Sequence, residues 1–398
     1  MTMVPLDSRK AGESNEWLIM SYLRDRGQLS QKELCALTQL GSSTVSSIVA
    51  RLREKEMIVE TQGKSHTRGP KPVLLAINRM GRYLVGVELN PAYVRIGLFD
   101  FHTSILDHIQ IPLDSKDVDH VIQSLTDNVM DLLNKHDISK SSVLGMGVTI
   151  SGTISPQGEV ELSSTFGWKH IPLQQRLSKH MGVDVHLFTT RVRLLAELSL
   201  TRQDQYSNAL YLNVADGVSC NVIAEGHLFH GSSHRSGEIG HIIVDPQGPL
   251  CGCGHRGCLE ALIGGPALAG RIQQDLKNGT QSVLRDLISS QDNHRTIISK
   301  WGLALRQRDD YALQLQKDVA QHLAWAAAIA INLYDPAMIV LAGYVCDQCQ
   351  RELANSIQNS MKTHVYDGQA RDIPIRPAKA ADERYILGAV IGVLQQQG

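Results

Sequence analysis

No stretch of this 398-residue chain is apolar for long enough to cross a bilayer. The longest apolar run, 323–331, has nine residues, against the ~18–20 that a span needs. The opening residues, MTMVPLDSRK, lack the apolar core of a secretory signal. Internal repeats and low-complexity tracts are also missing. Seven cysteines are too few and of the wrong parity for an extracellular disulfide framework, and three of them crowd into 251–258. Large net charge is absent too, at −1. These absences set aside a membrane-inserted, fibrous or secreted disulfide-rich protein and leave a soluble cytoplasmic one as the expectation. With 42% hydrophobic and 20% charged residues, the composition is that of ordinary globular domains, two to four of them at ~100–200 residues each.

The small net charge hides an asymmetry. Residues 1–78 carry 11 Lys+Arg against 8 Asp+Glu, and the remainder 28 against 32. A basic head on an acidic body points to nucleic acid for the head alone. The head reads as three helices. Ser14 is placed to cap the first, which runs to Arg26 and stops at Gly27. Ser30 and Glu33 form a capping box that opens a second helix through Leu37. After the turn 38–41, Ser42 is placed to cap a third helix, with Val45, Ile48, Val49 and Leu52 on one face.

The opposite face of that third helix shows Ser43, Thr44, Ser47 and Arg51. A helix entering the major groove needs small polar groups for base edges and a cation for phosphate, which this face supplies. Segments 57–60 and 73–77 read as strands of a wing around the linker TQGKSHTRGPKP. Lys64, Arg68 and Lys71 in that loop have no acid beside them, and Arg68 before Gly69-Pro70 suits a narrow minor groove. A three-helix scaffold for protein contacts is the other reading of the same pattern.

Past the linker, strands and helices alternate, as in an α/β body. Strands are expected over 83–100 (a pair bent at Asn90-Pro91), 143–150, 183–188, 209–224 (a pair) and 337–341. Helices are expected over 118–136, 191–200, 310–333 and 383–395. Within it, His241, Cys251, Cys253 and Cys258 offer one imidazole and three thiols inside eighteen residues, with Gly252, Gly254 and Gly257 allowing a tight wrap. Such a set completes a tetrahedral Zn2+ site with no open position, so the metal is expected to be structural. Three buried free thiols are the alternative. Cys346-x-x-Cys349 lacks a partner pair, and Cys35 and Cys220 read as core residues.

Gly237-Glu238-Ile239-Gly240-His241, followed by Cys251-Gly-Cys253-Gly-His-Arg-Gly-Cys258-Leu-Glu260, closely resembles the ROK family (repressors, open reading frames, kinases). Gly167-Trp168, Ile171-Pro172-Leu173, Asn332-Leu-Tyr-Asp335-Pro336 and Gly388-Ala389 agree with it, so that the likeness spans about 80–398. The winged head is similar to the family's Mlc-, NagC- and XylR-like repressor branch.

The resemblance implies a winged helix-turn-helix over 1–78 and an actin-like, ribonuclease H-like body in two lobes. The small lobe is 79–190, completed by 383–398, and the large lobe is 191–382 with the zinc site. It further implies a sugar or sugar-phosphate effector contacted by Glu238, His241 and Glu260. The alternatives are a turn-stabilising acceptor for Glu238 and a first-turn helix residue for Glu260. The implied partners are operator DNA bound by a homodimer or a dimer of dimers, and a protein of the sugar-transport system.

The family's kinases have further motifs, from which this chain departs. Glu88-Leu89-Asn90-Pro91-Ala92 stands at their Asp-x-Gly-Gly-Thr phosphate loop, where Pro91 removes an N–H donor. Ala215-Asp216-Gly217-Val218-Ser219 stands at Gly-Thr-Gly-x-Gly, which puts a carboxylate where polyphosphate would lie. Phe188-Thr189 stands at the Asn-Asp that deprotonates the sugar hydroxyl, and threonine is no base near neutral pH. Phe188 either excludes a ligand or stacks on one. The expectation is a repressor of carbohydrate-use genes without enzyme activity; the alternative is an ATP-dependent sugar kinase with a regulatory head.

Overall fold

A capping box opens the second helix as its sequence requires: the Glu33 amide donates to Ser30 Oγ at 3.3 Å, and the Ser30 amide to Glu33 Oε2 at 2.7 Å. The computed structural model describes residues 8–62, 73–196, 208–232, 235–378 and 384–396, the side chains of 8–13 and 25 excepted. It contains two compact units, Met1–Ala196 with Ala381–Gly398, and Glu197–Ala380. Among the described residues no helix is long and apolar enough to cross a membrane.

The first unit begins with α1 (Ser8–Arg26), α2 (Gln31–Thr38) and α3 (Ser42–Glu54), followed by the antiparallel pair β1 (Ile58–Gln62) and β2 (Val73–Ile77). Leu29 bridges to Leu75 and so adds the approach to α2 to that pair. Val45, Ile48, Val49 and Leu52 are buried, as their helical spacing requires. Two expected caps are corrected. Helix α1 starts six residues before Ser14, because nothing between 8 and 13 stops it. Gly41, not Ser42, stands at the N-cap of α3, with Ser42 already helical.

The same unit continues with a five-stranded sheet ordered β10-β6-β3-β4-β5, where β3 is Tyr83–Asn90, β4 Tyr93–Asp100, β5 Ile105–Pro112, β6 Val143–Ile150 and β10 Val185–Thr189. Strands β3, β4 and β5 are antiparallel neighbours, while β6 and β10 run parallel to β3. One face packs on α4 (Val118–Lys135) and α5 (Leu173–Met181) around Val85, Val87, Val148, Leu125 and Leu177. The other face takes the helix Arg384–Gln396 so closely that a Cβ on Gly86 or Gly147 would overlap the carbonyls of Ile386 and Ala389. The strands β7 (Thr153–Ile154), β8 (Val160–Ser163) and β9 (Trp168–Ile171) form a separate three-stranded sheet. Of the helix expected over 191–200, Thr190–Val192 forms a 3-10 turn, 193–196 are α-helical, and 197–200 lie outside the described residues.

In the second unit the sheet order is β13-β12-β11-β14-β15, with β11 Ala209–Val214, β12 Val218–Ala224, β13 His227–Leu228, β14 Met338–Ala342 and β15 Ile375–Pro377. Its core forms against the helices Gly265–Lys277, His294–Arg306, Asp310–Tyr334 and Cys346–His364. Trp301 is fully buried there and donates its indole N–H to the Ala312 carbonyl at 3.1 Å. Cys220, Cys346 and Cys349 are buried thiols, whereas Cys35 is only half-buried. Burial pushes the Cys346 thiol up to about 12, which makes it inert.

Candidate metal centre and the loops around it

The four expected ligands lie on two loops that glycine shapes. Gly237 at φ +78° lies so close to the Cys220 carbonyl of β12 that a side chain would overlap it. The chain then passes through Glu238 into the 3-10 turn Ile239–His241. Downstream, Gly254 at φ +93° closes a turn by donating to the Cys251 carbonyl at 2.9 Å. Gly257 at φ +70° accepts from the Val244 amide at 2.8 Å, and a Cβ there would overlap the Asp245 carbonyl. Cys258 stands at the N-cap of the helix Leu259–Ile263.

One donor atom from each of His241, Cys251, Cys253 and Cys258 lies within 4.8 Å of all the others. His241 Nδ1 is 3.7 Å from Cys251 Sγ, and Cys253 Sγ is 3.6 Å from Cys258 Sγ. This cluster can hold a metal ion. Its thiols already differ in acidity: Cys253 is drawn down to about 6, first by the backbone amide and then by the ring of His255. Burial and the neighbouring sulfurs push Cys258 up to about 12. His255, with Nδ1 3.5 Å from Cys253 Sγ, was not singled out from the sequence, although it stands two positions past a ligand.

Glu260 lies in the first helical turn after Cys258, and its Oε2 accepts from the Val218 amide at 3.0 Å. It thereby fastens the metal loop to the segment 215–219. An open cavity of about 770 Å³ is lined by Asp216, Leu250, Cys251, Glu260, Arg271 and Gln274, among others. Neither Glu238 nor His241 lines it; both are exposed.

Asp216 is not the bare anion that the sequence suggested. Arg295 Nη2 donates to its Oδ2 at 2.6 Å, and Tyr344 Oη donates to Oδ1 at 2.9 Å, with His294 Nε2 2.8 Å from the same oxygen. Partial burial raises its carboxyl, but Arg295, Tyr344 and His294 more than offset this and hold it below the usual range.

In the first unit Glu88 is likewise committed. It is 7% exposed and accepts from Arg95 Nη1 at 2.6 Å and from Tyr93 Oη at 3.2 Å, while Arg95 also reaches Gln110. Asn90 Oδ1 closes the following turn on the Ala92 amide at 3.0 Å. Phe188 is 7% exposed and packs on the helix Arg384–Gln396, with a Cβ at Gly392 only 2.7 Å from its ring. It packs as a core residue.

On α3, Ser42, Ser43, Thr44 and Ser47 are exposed and share the helix surface with the half-buried Arg51. Arg51 Nη1 donates to Ser47 Oγ at 3.0 Å, and Nε to Glu16 Oε1 at 2.7 Å. Lys64, Arg68 and Lys71 lie outside the described residues.

The model of the ROK family matches residues 84–396, and that of the MarR family matches 13–69. The xylose repressor of Bacillus subtilis is 24% identical over 376 residues, 94% of this chain and 93% of its own length. The DNA-binding transcriptional dual regulator NagC of Escherichia coli is 25% identical over 377 residues, with 94% and 91% covered. A crystal structure of a ROK family transcriptional regulator, a homologue of the E. coli MLC protein, superposes with a TM-score of 0.84 at 23% identity over 97% of this chain and 96% of that one. ROK hexokinase from Thermus thermophilus gives 0.66 at 22% identity, covering 79% of this chain and all of its own. The repressor-type relatives thus extend over the head as well as the body, and the chain belongs to the ROK family, with a MarR-like winged helix in front of the actin-like fold.

Proposed function

We propose that this protein is a DNA-binding transcriptional regulator, a repressor of carbohydrate-use genes, whose body senses a sugar or sugar phosphate. The observation that carries this is the outer face of α3, where Ser42, Ser43, Thr44 and Ser47 are all exposed on a winged-helix head. In this reading residues 1–78 bind operator DNA. Residues 79–190 with 383–398 and residues 191–382 form the lobes that respond to ligand. Ser43, Thr44 and Ser47 meet base edges, and Arg51, Lys64, Arg68 and Lys71 meet phosphates and the minor groove. A homodimer or dimer of dimers matches paired half-sites, and a sugar-transport protein is a further candidate partner.

Zn2+ fits the cluster. With Zn–S bonds of ~2.3 Å, tetrahedral geometry sets sulfur–sulfur edges at roughly 3.8 Å, close to the 3.6 Å between Cys253 and Cys258. A bound ion would offset two of the three thiolate charges and, with four protein ligands, would leave no position for chemistry. His241, Cys251, Cys253 and Cys258 would hold it. Its role is to brace the loops that carry Glu238 and Glu260, which with His241 would contact the effector.

A kinase is the less supported reading. Glu88 is bound to Arg95, Asp216 to Arg295, and Thr189 is no general base. Two experiments test the proposal. A fluorescent duplex from the region upstream of its own gene should bind with an affinity that falls steeply with salt. A panel of sugars and sugar phosphates should include one that raises the melting temperature by mass action. A duplex that is not bound at any salt concentration removes the DNA role; ADP release coupled to a hexose establishes the kinase instead.

A further inference from the structure

Among the described side chains of the head, one acid is nearly buried. Glu16, on α1, is 8% exposed, and both of its oxygens are taken by α3 and its cap. Arg51 Nε donates to Oε1 at 2.7 Å and Lys55 Nζ to Oε2 at 2.7 Å. Burial raises the Glu16 carboxyl, but the two cations more than offset it, so it stays ionised at neutral pH. The acid is fixed from its other side as well. Its neighbour Trp17 meets Phe101 edge-on, with centroids 6.5 Å apart and the rings at 73°. Phe101 is 1% exposed and donates its amide to the Arg79 carbonyl at 3.0 Å. The cations themselves remain open to solvent, with side chains 42% and 49% exposed for Arg51 and Lys55.

We propose that Glu16 is a positioning residue for duplex binding, one that pins Arg51 and Lys55 along the DNA-reading helix and so sharpens discrimination between sequences. The inference rests on the DNA-binding reading above. Long, loose cations close to a groove bind any phosphate, which adds affinity without information. A cation held by a fixed carboxylate meets phosphate only where the duplex docks in register, and elsewhere its charge is largely cancelled. Glu16 thus suppresses sequence-independent binding more than it weakens the specific complex.

The test uses the full-length protein, a mixed-sequence duplex, and the duplex upstream of its own gene, titrated by anisotropy from about 50 to 200 mM salt. Glu16→Gln keeps the size and removes the charge. On the mixed-sequence duplex it should bind more tightly than wild type. The slope of log K against log salt should steepen by ~0.9 to ~1.8, because one or two more phosphates are neutralised at ~0.9 each. In an Arg51→Gln/Lys55→Gln background, Glu16→Gln should leave that slope unchanged, which a merely structural role for Glu16 would not produce.

A wild-type slope for Glu16→Gln, or an equal steepening in the doubly substituted background, overturns the proposal. So does loss of duplex binding by a variant that melts at the wild-type temperature. If Glu16→Gln melts early, Arg51→Gln/Lys55→Gln decides alone. Pinned cations predict a lower ratio of specific to mixed-sequence affinity and a mixed-sequence slope changed by less than ~0.9, whereas a drop of ~1.8 overturns the idea. Wild type that binds neither duplex removes the DNA reading and this inference together; failure of the Glu16 variants alone leaves that reading standing.

Discussion

Replacing Cys258 with serine separates metal binding from every other role of that residue. Cys258 is fully buried, its sulfur lies 3.6 Å from that of Cys253, and it stands at the N-cap of the helix Leu259–Ile263 without making a side-chain cap bond. Serine is among the preferred N-cap residues, so the substitution favours that helix by up to ~1 kcal/mol if it changes it at all. Loss of stability beyond the cost of burying the serine hydroxyl, about 1–3 kcal/mol if it is unpaired, must therefore come from the missing thiolate. If the ion is free at 1,000 times its dissociation constant, its binding adds about 4 kcal/mol to the folded state. That is a large share of the ~5–15 kcal/mol that a domain has. For a unit the size of Glu197–Ala380, 1 kcal/mol corresponds to roughly 2–4 °C, so loss of the ion should lower its melting transition by about 8–16 °C. Elemental analysis of wild type should give one zinc per chain, and a chelator should reproduce the Cys258→Ser melting curve by calorimetry. Wild type with well under one ion per chain, or a transition that neither chelator nor substitution moves, refutes the metal centre.

Three other perturbations probe the loops. Gly257→Ala puts a Cβ on a backbone at φ +70° facing the Asp245 carbonyl, so it should cost about 1–3 kcal/mol and reduce metal content together; wild-type melting with full zinc would contradict this. Asp216→Asn should destabilise the second unit by about 1 kcal/mol at pH 7, a value kept small because its carboxylate is 53% exposed. Since the native carboxyl titrates below its ordinary 3.8, this contribution is present above 3.8 and is lost as pH falls through the lowered native value. Denaturant unfolding should therefore show a deficit at pH 7 that disappears in acid, and a deficit that grows in acid would reverse the assignment. Thr189→Asp restores a potential base but should release no ADP with any hexose, because Glu88 remains on Arg95; measurable turnover would refute the inactive reading.

What could be read from the sequence was what neighbouring residues decide. The capping box at Ser30, the buried stripe from Val45 to Leu52 and the cysteine loop all lie within a few turns of chain, and the structure places each as its spacing demands. Strand β5 escaped because it is an edge strand, with only Asp107, Ile109 and Ile111 partly covered and the rest of 105–112 exposed. The helix Gly265–Lys277 escaped because Gly264, Gly265 and Pro266 are residues of loop composition, although proline in the first turn is a helix start. The helix at His294 had a legible cap in Asn293, whose side chain accepts from the Thr296 amide. Long-range partners left no local trace. Asp216 meets Arg295 and Tyr344 across 79 and 128 positions of sequence, and no periodicity reports such pairings.

Engaged acids of this kind weigh against the kinase reading. A loop that handles phosphate needs unengaged donors and a carboxylate available to a metal ion. Here each of the two segments at the kinase motif positions carries an acid, Glu88 in one unit and Asp216 in the other, and each acid is bound by an arginine and a tyrosine. Freeing Glu88 would break a buried ion pair and take from Arg95 its carboxylate partner, a loss of about 3–5 kcal/mol. Removing Arg95 instead would leave the buried Glu88 carboxylate without that cation, at a similar cost. Glu88 therefore cannot be made available to metal or nucleotide by one substitution without unsettling its sheet. The same arrangement is suited to a sensor: loops fixed by ion pairs hold their shape until a ligand supplies enough differential binding to select another state.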